Sequence, residues 1–568
     1  MPTIEFNYTD FEQMLGLKLH KNLNRLNELL ALVKGEVKRF DTDEGVLNVE
    51  IKDTNRPDIW NVEGLVRTLH GFLGKEKGIK KYDTGPSIID VYVDSKLRKI
   101  RPYIGCTIIE NCPLTDVIIR GLMQLQEKLD ESYGRNRQRT SIGLYDMRNI
   151  EPPLHYTVAE PTEVSFAPLG FKNKMNLDEI LQNHPKGIEY GNIINKHSEY
   201  PVLLDSNKKV LSFPPIINSN DLGRITEETK QILVEVTGTL HETVLDTLNI
   251  VTLSLIDRGG KAHSVTVHYP HEHLKVTTPR FKARSMVLEV SFVQKIIGIK
   301  LKTEEIVKLL NKARFAVQKL DKHKMKVIIP CYRTDVMHPV DLVEDVAISY
   351  GYNNITPLWR HRPTTGNFLQ GHNTLTISRD LMIGLGYQEV LTYTLTNPNT
   401  LFDKMNIPKQ RIIKISNPKI QNLTCLRNQL LPSLLEFLGN NLHIQYPQKI
   451  FELGIVTVPD DKSETKTKET ESLAAITTHS QANFSEVMSA LDAFFTNFGL
   501  KQQIKEITHP SFIKGRVGAL VINGKEVGVL GEIHPKVLEA WELENPTAAF
   551  ELNLHEIITM KKTKHRLS

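Results

Sequence analysis

Cysteine is scarce in this sequence: Cys106, Cys112, Cys331 and Cys425 are the only four, and no two of them form a Cys-x-x-Cys pair. That excludes a disulfide framework in a chain this long and predicts reduced, buried thiols. Uninterrupted apolar runs of about 18 residues are missing, as is a basic-then-apolar opening, so the expectation is a soluble cytoplasmic protein with no membrane contact. The common catalytic signatures are absent: no Gly-x-x-x-x-Gly-Lys loop, no Gly-x-Gly-x-x-Gly after a strand, no His-Glu-x-x-His and no Gly-x-Ser-x-Gly. An excess of one charge is lacking too. Lys and Arg number 71 against 66 Asp and Glu, a net +5 that excludes a polycation and leaves room for a local RNA-binding face.

What is present is an ordinary folded composition, 40% hydrophobic and 24% charged, enough for about three to five domains. Residues 1–86 read as a small α/β domain: "TDFEQMLGL" is a short helix with Thr9 or Asp10 as cap, and a strand, a turn through Asn55-Arg56-Pro57-Asp58 and an amphipathic helix follow. Residues 87–262 mix apolar strands with helices in an α+β pattern. Residues 275–353 form a helix-strand-helix module, whose "KTEEIVKLLNKARF" helix is capped by Thr303. Residues 358–568 combine helices with an antiparallel sheet, in which Asn523-Gly524 marks a tight hairpin. "PDDKSETKTKETES" (459–472) has no apolar residue and reads as a solvated loop.

Three stretches carry possible chemistry. "RTDVMHPVDLVEDVAISYGY" (333–352) gathers Asp335, Asp341, Glu344 and Asp345, with no Lys or Arg after Arg333. After Pro339 it reads as a helix, with Asp341, Glu344 and Asp345 on one face at i, i+3 and i+4. Two explanations stand open: acids favoured in a first helical turn and pointing into water, or oxygen ligands for a hard cation such as Mg²⁺. "SFPPIINSNDLGRITEETKQILVEVTGT" (212–239) sets Asn218, Ser219 and Asn220 after tandem prolines, then a strand with Glu235, Thr237 and Thr239 to one side. It is either a small polar-floored pocket or an edge strand with its polar face in water. "YGRNRQRT" alternates Arg135, Arg137 and Arg139, which in extended chain would align three guanidinium groups for phosphate or for solvent. His263, His268, His271 and His273 lie close together without a cysteine, as a zinc set or, more simply, a polar linker.

Taken together, "TNRPDIWNVEGLVR" (54–67), the acidic stretch extended to 355, and "GKEVGVLGEIHPKVLEAWELENPTAAFEL" (524–552) resemble the beta subunits of phenylalanyl-tRNA synthetases in their short archaeal form. The resemblance implies an α+β multidomain chain: an N-terminal domain, a tRNA-editing domain, a small winged-helix-like module, and a C-terminal class II synthetase-like domain lacking catalysis. It implies Asp335, Asp341, Glu344 and Asp345 as a Mg²⁺ site shared with an alpha subunit, Asp345 standing where many relatives have Glu. It also implies phenylalanine-tRNA ligase activity, with ATP as substrate at the alpha-subunit site, two alpha and two beta chains, and tRNA for phenylalanine as partner. In the editing domain, hydrolysis of mischarged tyrosyl-tRNA is expected. Glu235 is the candidate acceptor for the tyrosine hydroxyl, with Asn218 and Thr237 positioning water or the terminal adenosine. The alternatives are a stand-alone RNA-binding or tRNA-editing hydrolase, and a Mg²⁺-dependent nuclease.

Overall fold

The computed structural model describes residues 2–269, 273–358, 366–369 and 371–565, with side chains to residue 559. It is mixed α+β with several sheets, and the chain separates into two compact units, Met1–Leu358 and Trp359–Ser568.

The first unit opens with a three-stranded sheet in which Val46–Ile51 lies between Thr3–Asn7 and Gly35–Asp41. The helix Tyr8–Leu15 follows its strand without a spacer. The cap therefore falls on Asn7, whose side chain accepts from Asp10 N, and on neither Thr9 nor Asp10. The amphipathic helix Val62–Phe72 forms as its periodicity predicts, capped by Asn61. It buries Glu63 and Arg67 along with its apolar residues, because it is sandwiched in a core shared with the next domain.

That domain is a ten-stranded sheet. From one edge the order is Ile217–Asn218, Val210–Phe213, Tyr200–Leu204, Leu154–Ala159, Gly85–Val93, Lys261–Tyr269, Tyr103–Glu110, Gln231–Gly238 and Thr140–Asp146; Leu274–Thr278 joins Lys261–Tyr269. The strand Gln231–Gly238 is interior, paired on both sides, and not the edge strand its polar residues permit. Its apolar residues explain this: Ile232, Val234 and Val236 enter one core and Leu233 the other, so both faces are covered. His263 and His268 lie on the strand Lys261–Tyr269, which excludes a polar linker there; each sits beside one acid, Glu110 at 3.1 Å and Asp90 at 2.7 Å respectively. His271 falls outside the described residues, and His273 has φ 51°.

The module that follows pairs Lys324–Ile329 between Arg284–Glu289 and Ala316–Lys319, and packs the helices Thr303–Lys312 and Pro339–Tyr350 into one core. Lys302 takes the N-cap position. Thr303 is the first helical residue, and its hydroxyl donates to the Lys322 carbonyl instead.

In the second unit a seven-stranded sheet carries helix Phe484–Phe498 on one face and Leu431–Gly439 on the other. The alternation is direct: Leu473 and Ala475 enter the first core, Ala474 and Ile476 the second. Half of the polar stretch 459–472 lies in paired strands, and residues 460–466 form the loop between them. Gln448–Pro459 and Thr467–Thr478 pair as far as Pro459 opposite Thr467, because the backbone ladder needs no apolar side chains. Asn523 and Gly524, at φ 50° and 79°, make the tight turn their sequence predicts.

Candidate functional site

Glu235 lies midway along an interior strand, with Cys106 opposite on one neighbour and Gly143 on the other. Its carboxylate is 2% exposed and edges a cavity of about 180 Å³, walled by Ser212 to Asn218 and by Arg137. Tyr145 donates its hydroxyl to Glu235 Oε2 at 2.8 Å and approaches Asn218 Oδ1 at 3.3 Å. Glu235 Oε1 is buried with no hydrogen-bond partner. Burial raises the Glu235 carboxyl to about 7, against the opposing pull of Tyr145, Arg101 and the Thr237 hydroxyl. A buried acceptor with a vacant lone pair, facing a small cavity, suits a hydroxyl donor on a ligand.

The structure therefore brings Glu235 and Asn218 together through Tyr145. Thr237 lies beneath the Glu235 carboxyl, whose pKa its hydroxyl helps to hold down. Its hydroxyl accepts from Arg101 Nε at 3.0 Å and lies 3.1 Å from Ser141 Oγ, so it is held in the floor and is not among the cavity-lining residues. Gly143 explains how two side chains meet beside the strand: a Cβ there would lie 2.3 Å from the Tyr145 hydroxyl and 2.5 Å from Glu235 Oε2.

Sequence reasoning did not single out Tyr145, Asp130 or Arg101 in this site. Arg101 is fully buried and also donates to the Arg137 and Thr237 carbonyls. Arg137 donates to the carbonyls of Pro215 and Ile216 on the cavity wall, lies over the Tyr190 ring, and stands 3.3 Å from Asp130. Asp130 is buried and raised to about 7 by burial, with Arg137 and Arg101 opposing. The three alternating arginines are not aligned in extended chain. Arg135, Asn136 and Arg137 are successive left-handed residues, a turn that directs Arg137 inward. Only the density of polar residues near 130–141 hinted at this.

The acidic stretch resolves differently from its sequence. Asp335 and Asp345 share Arg333, whose Nη2 lies 2.7 Å from one and 2.6 Å from the other. Arg56, itself paired with Asp58, stands 3.7 Å from Asp335. Burial alone would raise Asp335, but Arg333 and Arg56 outweigh it and hold the carboxyl at about 2; for Asp345 burial wins and the carboxyl is raised. Asp341 turns back to accept from the backbone N–H groups of Met337 and His338 at 2.8 and 2.7 Å. Glu344 reaches Lys34 at 2.6 Å. The four carboxylates thus do not converge as a magnesium site requires, and no group of three or more His, Cys, Asp or Glu among the described residues is arranged to hold a metal ion. As they stand, the residues do not fit the ion: a guanidinium occupies the position between the two most buried acids, and the other two face different partners. The signal was Arg333 itself, at the head of the stretch; Lys34 is too distant in sequence to be foreseen.

In the second unit, Arg516 is ion-paired with Glu532 at 2.6 Å. No helix among the described residues is long and apolar enough to cross a membrane.

Comparison with known proteins bears on these sites. Residues 286–352 match the tRNA synthetase B5 domain, and residues 360–554 match the phenylalanyl tRNA synthetase beta chain CLM domain. The chain is similar to the phenylalanine–tRNA ligase beta subunit of Pyrococcus abyssi, 41% identical across 98% of this chain and 100% of that protein. It is similar also to that of Archaeoglobus fulgidus, 39% identical across 98% of each. Among solved structures, an N-terminal fragment of the phenylalanyl-tRNA synthetase beta subunit from Pyrococcus horikoshii superposes with a TM-score of 0.59 at 39% identity, covering 62% of this chain and 100% of the fragment. With matches of this identity running almost end to end, the chain belongs to the phenylalanine–tRNA ligase beta-subunit family, a family of aminoacyl-tRNA synthetase chains.

Proposed function

We propose that this chain works in the cytoplasm in a complex of two alpha and two beta subunits. On this reading the alpha subunit attaches phenylalanine to its tRNA at the expense of ATP, and this chain binds the tRNA and removes tyrosine attached in error. The proposed division is an N-terminal domain over 1–86, the editing domain over 87–262, the module over 275–353 and a class II synthetase-like, non-catalytic domain over 358–568. The matched B5 and CLM segments support the last two. Magnesium and ATP belong with the alpha subunit's adenylation step, and no step is assigned to a metal on the acidic helix.

The observation that carries the editing role is the unpartnered Glu235 Oε1 beside a cavity of about 180 Å³. A tyrosyl ester on the tRNA 3′ end would place its phenol there and donate to that oxygen. A phenylalanyl ester leaves Oε1 without that bond, and a site built to bond a hydroxyl rejects the analogue lacking it by a large factor, about 10⁴ in favourable cases. Water then attacks the ester carbonyl. The bond to the ribose oxygen breaks, tyrosine leaves as the free acid, and a proton from the water passes to the departing ribose oxygen, restoring its hydroxyl. Asn218, on the wall, orients the ester or the water.

The test is clearance of tyrosyl-tRNA by the reconstituted alpha–beta complex. Glu235→Ala is expected to slow it about a hundredfold while phenylalanine-dependent pyrophosphate exchange stays at its wild-type rate. Clearance at the wild-type rate in that variant removes the assignment. If the beta chain clears tyrosyl-tRNA but neither binds an alpha subunit nor supports exchange, the stand-alone hydrolase replaces this reading.

A further inference from the structure

Tyr145 reaches Glu235 along the sheet rather than straight across it. Glu235 stands opposite Gly143, and Tyr145 stands opposite Leu233, so the two are diagonal neighbours on adjacent strands. Such a diagonal spans about 7–8 Å, a distance a ring can bridge if the position between is empty. Gly143 leaves it empty: a Cβ there would lie 2.7 Å from Tyr145 Cε2. The Tyr145 side chain is fully buried and belongs to the core that includes Leu211, Leu222 and Leu233. Apolar packing therefore sets the ring, and only its hydroxyl emerges among polar groups. Tyr145 is not among the cavity-lining residues, so it meets a ligand only through its neighbours.

That hydroxyl has one proton to give. At 2.8 Å from Glu235 Oε2 and 3.3 Å from Asn218 Oδ1, it gives the proton to the carboxylate and keeps a longer contact with the amide. The consequence falls on the other carboxylate oxygen. A carboxyl group with neither oxygen bonded would be free to rotate about its last torsion, toward polar groups of the wall or toward water, and would be satisfied with any ligand or none. With Oε2 tied to a side chain that packing holds still, Oε1 stays buried and without a partner. The cost of that unmet acceptor is what rejects an ester lacking a hydroxyl.

We propose that Tyr145 sets the specificity of hydrolysis: by fixing one carboxylate oxygen of Glu235 it keeps the other in want of a donor, and an aminoacyl ester is selected for cleavage by the hydroxyl it brings. Tyr145 is thus a positioning residue that acts through Glu235, beside Asn218. This rests on the editing reading of the cavity.

The experiment uses the full chain in its complex with the alpha subunit and follows single-turnover hydrolysis of tyrosyl-tRNA and of phenylalanyl-tRNA under identical conditions. Tyr145→Phe removes one oxygen and leaves the ring in its core. Tyrosyl-tRNA should be cleared more slowly, phenylalanyl-tRNA faster, and the ratio of the two rates should fall about tenfold or more. In a Glu235→Ala background, where the ratio is already lost, Tyr145→Phe should move it no further, because its effect passes through that carboxylate. A ratio that keeps its wild-type value while both rates fall together marks a merely structural residue and overturns the proposal, as does an equal shift in the ratio with and without Glu235. The two readings fail separately. If Glu235→Ala clears tyrosyl-tRNA at the wild-type rate, the editing assignment falls; if Glu235→Ala slows clearance while Tyr145→Phe keeps the ratio, only the role of Tyr145 does.

Discussion

Glu235 is held proton-rich by burial, and that has a thermodynamic sign. Its carboxyl sits at about 7 in the folded protein against an ordinary 4.5, so between those values the folded chain binds the proton that the unfolded chain has released. Stability from this group is therefore full below about pH 4.5 and falls as pH rises through 7. Glu235→Gln should melt like wild type at pH 4.5 and progressively higher than it up to pH 7, by an amount on the order of 3 kcal/mol at most, the gain then staying level. Thermal unfolding at pH 4.5, 6 and 8 checks it; a variant less stable than wild type at pH 8 would show that the carboxylate is better paired than the geometry indicates. Gly143→Ala tests the same site from the neighbouring strand. The new methyl group would lie 2.3 Å from the Tyr145 hydroxyl and 2.5 Å from Glu235 Oε2, so these two buried side chains must shift, and clearance of tyrosyl-tRNA should fall at least tenfold, read from single-turnover hydrolysis beside a melting curve.

At the scale of elements, a second, partly buried carboxylate does purely structural work. Glu551, on the strand Thr547–Asn553, accepts from the backbone N–H groups of Leu430 and Leu431 at 2.8 and 3.0 Å, where the helix Leu431–Gly439 begins with no side-chain cap of its own. A carboxyl there complements the helix dipole while tying helix to sheet. Glu551→Ala should cost about 1–3 kcal/mol and lower the cooperative melting of the second unit, leaving tyrosyl-tRNA hydrolysis unaffected. Such long-range caps explain what the sequence did and did not disclose. The helices Val62–Phe72 and Pro339–Tyr350, and the Asn523-Gly524 turn, were legible because spacing and turn chemistry are local. Helix starts at Asn7 and Lys302, and the interior place of Gln231–Gly238, were not, since neighbouring strands decided them. In the candidate site, Glu235 and Asn218 could be picked out as polar residues among apolar ones. Tyr145, 90 residues from Glu235, is brought in only by the pairing of strands.

At the scale of the whole first unit, the acidic stretch becomes a fastening rather than an exposed face. Arg333 gathers Asp335 and Asp345 within the module, and Lys34–Glu344 and Arg56–Asp335 join it to the N-terminal domain. Because Arg333 and Asp345 are 3% and 7% exposed, removing the arginine leaves two buried or nearly buried carboxylates with no cation closer than Arg56, which stands 3.7 Å from Asp335. Arg333→Ala should therefore destabilise the chain by about 3–5 kcal/mol. The same deletion vacates the space between two hard oxygen donors, which is what a divalent ion requires. Millimolar Mg²⁺ should then recover part of the lost melting temperature in the variant, while wild type alone melts identically in Mg²⁺ and in EDTA. A drop in wild-type melting temperature on adding EDTA would mean that an ion is held alongside Arg333, and the guanidinium would lose its place as the charge that gathers these acids.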